Sequence, residues 1–278
     1  MREKFYKHQT PSLDARSREL RRVIVKMLAS AGRGHVGSAF SVVEILRVLY
    51  DDVLKFDAKN PRWPERDRLI LSKGHGCLAI YAILAEKGFF PEAELWKVCK
   101  TDGILGGHPE YGKVPGIEAS TGALGHGLPI GVGMALAARV IKSPRRVIVV
   151  MGDGESNEGS VWEAALSAGK HKLSNLTVIV DYNKHQACGS TFEIQDMEPF
   201  DEKWRAFGFA VETVDGHDPV ALRKVLSHLP LDPNRPTAII CDTIKGKGVP
   251  AVENNMSWHH KIKVTEDEIK SLLAALEA

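Results

Sequence analysis

Two short segments carry oxygen donors and glycines at a spacing that suits an anion held through a metal. The first is GDGESNEG at 152–159 and the second is DYN at 181–183. Asp153 offers a carboxylate and Asn183 an amide oxygen, both hard donors suited to Mg²⁺ or Ca²⁺. Gly152 and Gly154 let the backbone come close to an anion. A helix beginning near Glu158 would aim its free amides and positive dipole end at the same place. Taken alone, the pair also fits a tight turn with an aspartate cap beside an unrelated asparagine turn. Position favours chemistry. Each segment ends a buried apolar run, RVIVVMGDG or NLTVIVDYN. Each therefore falls at the C-terminal end of a predicted parallel strand, where open α/β sheets bind ligands.

A second group consists of histidines in loops, several of them beside glycines: GRGHVGSA (His35), LSKGHG (His75), GGHPE (His108) and ENNMSWHHK (His259). Glycine on either side removes bulk and lets an imidazole approach a ligand. Histidine suits proton transfer and polar sugar contacts near neutral pH. Any one of them could equally be a surface or core histidine, so the set matters more than its members. The basic TIKGKG loop at 243–248 either closes over a ligand as a flexible flap or is simply solvated.

Positioning these groups requires alternating strands and helices. Ser12 can cap a helix with Leu20, Val23, Ile24, Met27 and Leu28 at helical spacing, and Gly32 and Gly34 end it. A second helix is predicted over Ser41 to Leu54, a strand over Arg68 to Ser72, and a third helix after Gly76. Further strands are expected at Ala210 to Val214 and Thr237 to Asp242. Helices are expected at VWEAALSAGKH, near Glu202 to Phe207, from Pro219 to Leu229, and from a Thr265 cap to Ala278, with Glu268 completing a capping box. Continuous apolar strands between helices predict an α/β fold, a mostly parallel sheet with helices on both faces. With no repeat or long linker, residues 1–278 read as one domain, with an N-terminal helical segment over about 1–65.

Composition narrows the function classes. A formal charge of +2 does not suggest a nucleic-acid surface. No apolar run approaches the ~20 residues that cross a bilayer, and MREKFYKHQT has no apolar stretch of a secretory signal. Cys77, Cys99, Cys188 and Cys241 lack metal-ligand spacing and read as reduced thiols in a cytoplasmic protein.

The GDG…N pair, the histidines in this order, and STGALGHG at 120–127 between His108 and the GDG together resemble transketolase, a thiamine diphosphate-dependent family. The resemblance runs from about residue 12 to 265. It implies a diphosphate-side, thiamine diphosphate-binding domain that takes the cofactor through Mg²⁺, with Ca²⁺ or Mn²⁺ as alternatives. The implied metal ligands are the side chains of Asp153 and Asn183 and the backbone carbonyl of His185. Cofactor contacts would come from His75, His259, Gly152 and Gly154, with Gly122 and Leu124 near the aminopyrimidine. His35, His108 and His259 would line the substrate channel. Glu158 would sit at a subunit interface between two cofactor sites. His126 stands where many relatives have Gln, and His260 where Gly is common; neither is given a role.

Full-length transketolases have three domains, and the resemblance covers the first. The pyrimidine-binding domain and its glutamate, which activates the cofactor, are expected on a separate C-terminal subunit, giving an α2β2 heterotetramer. The implied activity is that of the N-terminal subunit of a split transketolase. It would transfer a two-carbon ketol unit from a ketose phosphate to an aldose phosphate, as in the pentose phosphate pathway. Alternatives are a 1-deoxyxylulose-5-phosphate synthase-like chain, a subunit specific for another sugar, and a non-catalytic cofactor-binding remnant.

Overall fold

The strands form where β-branched and apolar residues predominate. The computed structural model describes residues 12–277; residues 1–11 and Ala278, and the expectations attached to them, lie outside the described residues. Helix α1 (Ala15–Ala31) opens the chain, followed by α2 (Val36–Phe40) and α3 (Val43–Val48), which continues into a π-helical turn, Leu49–Val53. Strand β1 (Arg68–Leu71) leads through Gly74–Gly76 into α4 (Cys77–Glu86). A long loop then reaches α5 (Gly127–Val140), β2 (Val147–Gly152), α6 (Gly159–Lys170) and β3 (Leu176–Tyr182). The chain continues through α7 (Thr191–Ile194), α8 (Phe200–Ala206), β4 (Ala210–Asp215), α9 (Pro219–Leu226), β5 (Thr237–Asp242) and α10 (Glu266–Ala275).

All five strands are parallel, in the order β1, β2, β3, β5, β4. Strand residues alternate between two apolar layers. Ile148, Val150, Ile179 and Ile239 join the layer with α1 to α4, while Val147, Val149, Val178 and Ile240 join the layer with α5, α6 and α8. The predicted α/β fold with helices on both faces is therefore the one observed. Among the described residues, no helix is long and apolar enough to cross a membrane.

Two local expectations are corrected, and one helix was not foreseen. Asp14, not Ser12, caps α1, accepting from the Ser17 amide at 2.7 Å. The helix expected over Ser41 to Leu54 begins earlier, at Val36, and breaks between α2 and α3. There the Ser41 hydroxyl donates to Asp181 Oδ2 at 2.7 Å instead of leaving the helix regular. Helix α5 had no counterpart in the sequence reading, because Pro129 and several glycines punctuate GLPIGVGMALAARV. One of those glycines has a packing reason. A Cβ on Gly131 would lie 2.5 Å from Val149 Cγ2, so glycine lets α5 press directly onto β2.

A buried polar network ties the first helices to the segment after β5. Arg21 and Glu44, both buried, form a two-pronged ion pair at 2.6 and 2.9 Å. His217 Nε2 accepts from the Ile244 amide at 2.9 Å, so its Nδ1 carries the proton and donates to Glu44 Oε2 at 2.9 Å. Arg21 Nε donates to the Lys247 carbonyl at 2.7 Å, and the Gly246 amide to the Gly37 carbonyl at 3.0 Å.

Candidate functional site

Strands β2 and β3 are neighbours with Gly152 opposite Asp181, so the two motifs leave the same sheet edge side by side. Asp153, in the turn after β2, is buried; its two carboxylate oxygens accept from the Gly154 amide at 2.8 Å and the Lys184 amide at 2.6 Å. Glu155 holds the turn closed by accepting from the Gly125 amide at 2.9 Å, the Gly152 amide at 3.2 Å and the Ser72 hydroxyl. Asn183 is buried and donates from Nδ2 to Asp181 at 2.8 Å, which leaves its Oδ1 as acceptor, here receiving the His185 amide at 3.1 Å. The His185 ring turns back to the Asn183 carbonyl at 2.8 Å.

Asp181 is the hub of this edge. It is fully buried and accepts from Ser41, Asn183, Lys73 and, at 2.5 Å, Thr243. Burial pushes its carboxyl up, but the buried Lys73 ammonium and these hydrogen bonds hold it below the usual range. The Asp153 side chain accepts its hydrogen bonds, among the described residues, from backbone amides, not from an ammonium. Burial, and then the Asp181 charge, push its carboxyl up to about 7. A divalent cation on Asp153 and Asn183 would supply the missing positive charge. Beside them, the buried Ser156 Oγ, Asn157 Oδ1 and Gln186 Nε2 have no hydrogen-bond partner among the described residues. Gln186 lies against Gly154, where a Cβ would meet its Cγ at 2.6 Å. Unsatisfied buried polar groups next to a hard-oxygen pair fit a metal and an oxygen-rich ligand.

The histidines do converge. His35 stands at the centre, with ring centroids 5.4 Å from His75, 6.2 Å from His108, 5.7 Å from His259 and 4.3 Å from His260. His75 and His259 are 5.9 Å apart. Gly122 makes room for the cluster: it has φ +143, and a Cβ there would lie 2.8 Å from His108 Cδ2. Burial first, then neighbouring imidazoles and lysines, lower His35, His75 and His259. His35 falls to about 4 and His259 to about 3, while His75 lies well below its usual value. At neutral pH these rings are uncharged, so each offers one donor and one acceptor nitrogen.

Sequence reasoning missed two groups here. Lys245, in the segment read as either a flap or solvated, is 2 % exposed, and its Nζ lies 2.6 Å from His259 Nδ1. The solvated reading does not hold. Burial, and then the Lys73 charge, bring its ammonium down to about 8. The signal was its place just past the C-terminal end of β5, on the same sheet edge as Asp153 and Asn183. Lys73 occupies the equivalent place after β1. The other expected residues lie around this centre. Leu124 is half-buried, and its carbonyl contacts the exposed His126 ring at 2.9 Å. Glu158 is exposed at the start of α6, against Gly125 and outside the histidine cluster.

Comparison with known proteins places this geometry. Residues 14–277 match the family model described as transketolase, thiamine diphosphate binding domain. An apulose-4-phosphate transketolase subunit of Actinobacillus succinogenes is 45% identical over 268 residues, covering 95% of this chain and 96% of that one. The 6-deoxy-6-sulfo-D-fructose transketolase subunit of Clostridium sp. (strain MSTE9) is 40% identical over 269 residues, covering 97% and 98%. Among solved structures, transketolase from Leishmania mexicana superposes with a TM-score of 0.89 at 29% identity, covering 97% of this chain and 42% of that one. The chain thus spans about two fifths of the solved transketolase and nearly all of the two subunits.

Proposed function

We propose a function from one premise: the chain belongs to the transketolase family through its thiamine diphosphate binding domain. On that premise it is the diphosphate-binding subunit of a two-chain transketolase, with residues 1–278 as one domain that includes an N-terminal helical segment over about 1–65, of which α1 to α3 cover one face of the sheet. It acts in the cytoplasm and transfers a two-carbon ketol unit from an anionic ketose to an aldose phosphate. The observation that carries this reading is one sheet edge that brings together a hard-oxygen pair, a buried ammonium and a cage of neutral imidazoles. The bound cofactor supplies the thiazolium carbon that carries the two-carbon unit between sugars.

The chain's own residues hold and orient. Asp153, Asn183 and the His185 carbonyl bind Mg²⁺, with Gly152 and Gly154 giving the diphosphate close access to the backbone. Lys245, His75 and His259 face the diphosphate as donors. His35, His108 and His259 present neutral rings to the donor's hydroxyls and carbonyl. Gly122 and Leu124 border the aminopyrimidine. Glu158 meets the second half of the site, at an interface with a separate subunit carrying the activating glutamate, in an α2β2 assembly. Exposed apolar residues on α6, which Glu158 begins, and on the neighbouring α5 support that interface: Ile130 and Val140 on α5 and Leu166 on α6 are 37%, 80% and 62% exposed. The subunit names of the relatives support it further.

The donor is a ketose phosphate or a related anionic ketose, since the relatives' names specify sulfonated and apulose sugars. The test is co-purification with the glutamate-bearing partner. Assays would then compare xylulose 5-phosphate, apulose 4-phosphate and 6-deoxy-6-sulfofructose as donors, with ribose 5-phosphate among the acceptors. Activity is expected only in the complex. Steady turnover by the chain rigorously free of a partner would overturn the two-chain reading.

A further inference from the structure

His260 is the one histidine in the cluster to which neither the sequence motifs nor the proposed function gives work. Its placement is built by the backbone. Gly34 and Lys261 pair through two hydrogen bonds, Gly34 N to Lys261 O at 2.9 Å and Lys261 N to Gly34 O at 3.0 Å. The residues next to that bridge, His35 and His260, are thereby set against each other. Lys261 is itself held: its Nζ bonds Glu268 at 2.6 Å and lies 4.4 Å from the centre of the buried Trp258 ring.

The result is a flat stack. The His35 and His260 rings are 14° from parallel at 4.3 Å, whereas His75, His108 and His259 all meet His35 at 56° or more. His260 is exposed, and among the described residues its ring makes no hydrogen bond. What it packs on is the His35 face. A ring that lies flat on a neighbour restricts how that neighbour tilts.

We propose that His260 is a positioning residue for His35, holding that imidazole toward the donor sugar, so that donor binding depends on it while cofactor binding does not. This rests on the assignment of His35 to the donor channel.

Two variants separate stacking from hydrogen bonding: His260→Gly removes the ring, and His260→Phe keeps a flat ring without nitrogens. In the enzyme assembled with its partner, His260→Gly should raise the donor KM about two- to tenfold, the range of one aromatic contact. The kcat, acceptor KM and thiamine diphosphate affinity should stay at their wild-type values, and His260→Phe should restore the donor KM. An unchanged donor KM in His260→Gly, or equal losses in both variants, overturns the proposal.

A second readout needs no activity. In the histidine-labelled chain, the His35 ring protons, assigned with His35→Asn, feel the ring current of His260. Their NMR shift should move in His260→Gly and stay in place in His260→Phe. A shift that does not respond overturns the positioning itself. A responsive shift in an assembled enzyme that turns over no sugar overturns the functional reading, and with it the link to the donor.

Discussion

Lys245→Met should make the ligand-free chain more stable near neutral pH and less able to hold a diphosphate. The ammonium is buried beside His259, with Lys73 as a like charge, and its pKa falls from an ordinary 10.5 to about 8. At about 1.4 kcal/mol per pH unit, keeping it charged in the folded chain costs about 3 kcal/mol. Methionine keeps the packed stem against Gly37 and removes the charge. Losing the hydrogen bond to His259 costs about 1 kcal/mol, which leaves a net gain of about 2 kcal/mol. The sign depends on pH. Below pH 8 the lysine is charged in both states and the full cost is present. As pH rises from 8 to 10.5, the folded chain is already neutral while the unfolded chain loses its proton, so the cost disappears. Denaturant unfolding should therefore show the variant ahead near pH 7 and slightly behind wild type at pH 10.5. Thiamine diphosphate with Mg²⁺ should stabilise wild type far more than the variant. A variant less stable than wild type near pH 7, or a gap indifferent to pH, would refute the electrostatic account.

Other expectations follow from the same edge. Asp153→Ala removes an anionic donor and Asn183→Ala a neutral one, so calorimetry on the assembled enzyme should find both weakened for cofactor and Mg²⁺, the first more severely; normal binding by Asp153→Ala would sink the metal assignment. His259→Ala should lose cofactor affinity together with rate, whereas His108→Ala, whose ring packs on Gly122, should keep cofactor and lose rate; the reverse pattern in titrations and kinetics counts against both roles. Lys73→Met leaves the Asp181 carboxylate without its buried cation and should cost about 3–5 kcal/mol in denaturant unfolding. Adding Asp181→Asn should recover part of that loss, and a Lys73→Met penalty under about 1 kcal/mol would show that the hub does not depend on the pair.

What the sequence revealed depended on how local the cause was. Strands β2 and β3 are predominantly apolar runs that lead directly into Asp153 and Asn183, so their type and their shared edge could be read directly. The capping box of Thr265 and Glu268 was equally local, and both of its hydrogen bonds are present. Helix α5 was illegible because Pro129 and its glycines break the local pattern, and the packing that explains Gly131, against Val149 of β2, is announced by no local signal. Lys245 was left open between a flap and a solvated loop for a related reason. A lysine in the basic stretch IKGKG looks solvated until the neighbours that bury it, Gly37 and His259, are brought against it by the fold. Asp181 did leave a trace, as a charge inside an otherwise apolar strand, and that exception proved to be the hub of the site.

The Gly34–Lys261 bridge has a consequence for how the molecule comes into being. It closes residues 34–261 into one loop, and that closure brings His259 and His260 to the histidines of the earlier loops. Joining such distant segments carries an entropic cost that is recovered only when the intervening sheet is already in place. The parallel strands are therefore expected to assemble first and the cage to close last. A truncation after β5 would leave the sheet's own pairing intact while removing Lys245, His259 and His260 from the cage. Cofactor capture would then report on the whole chain: a molecule that holds its ligand has brought its first helix and its last loop together.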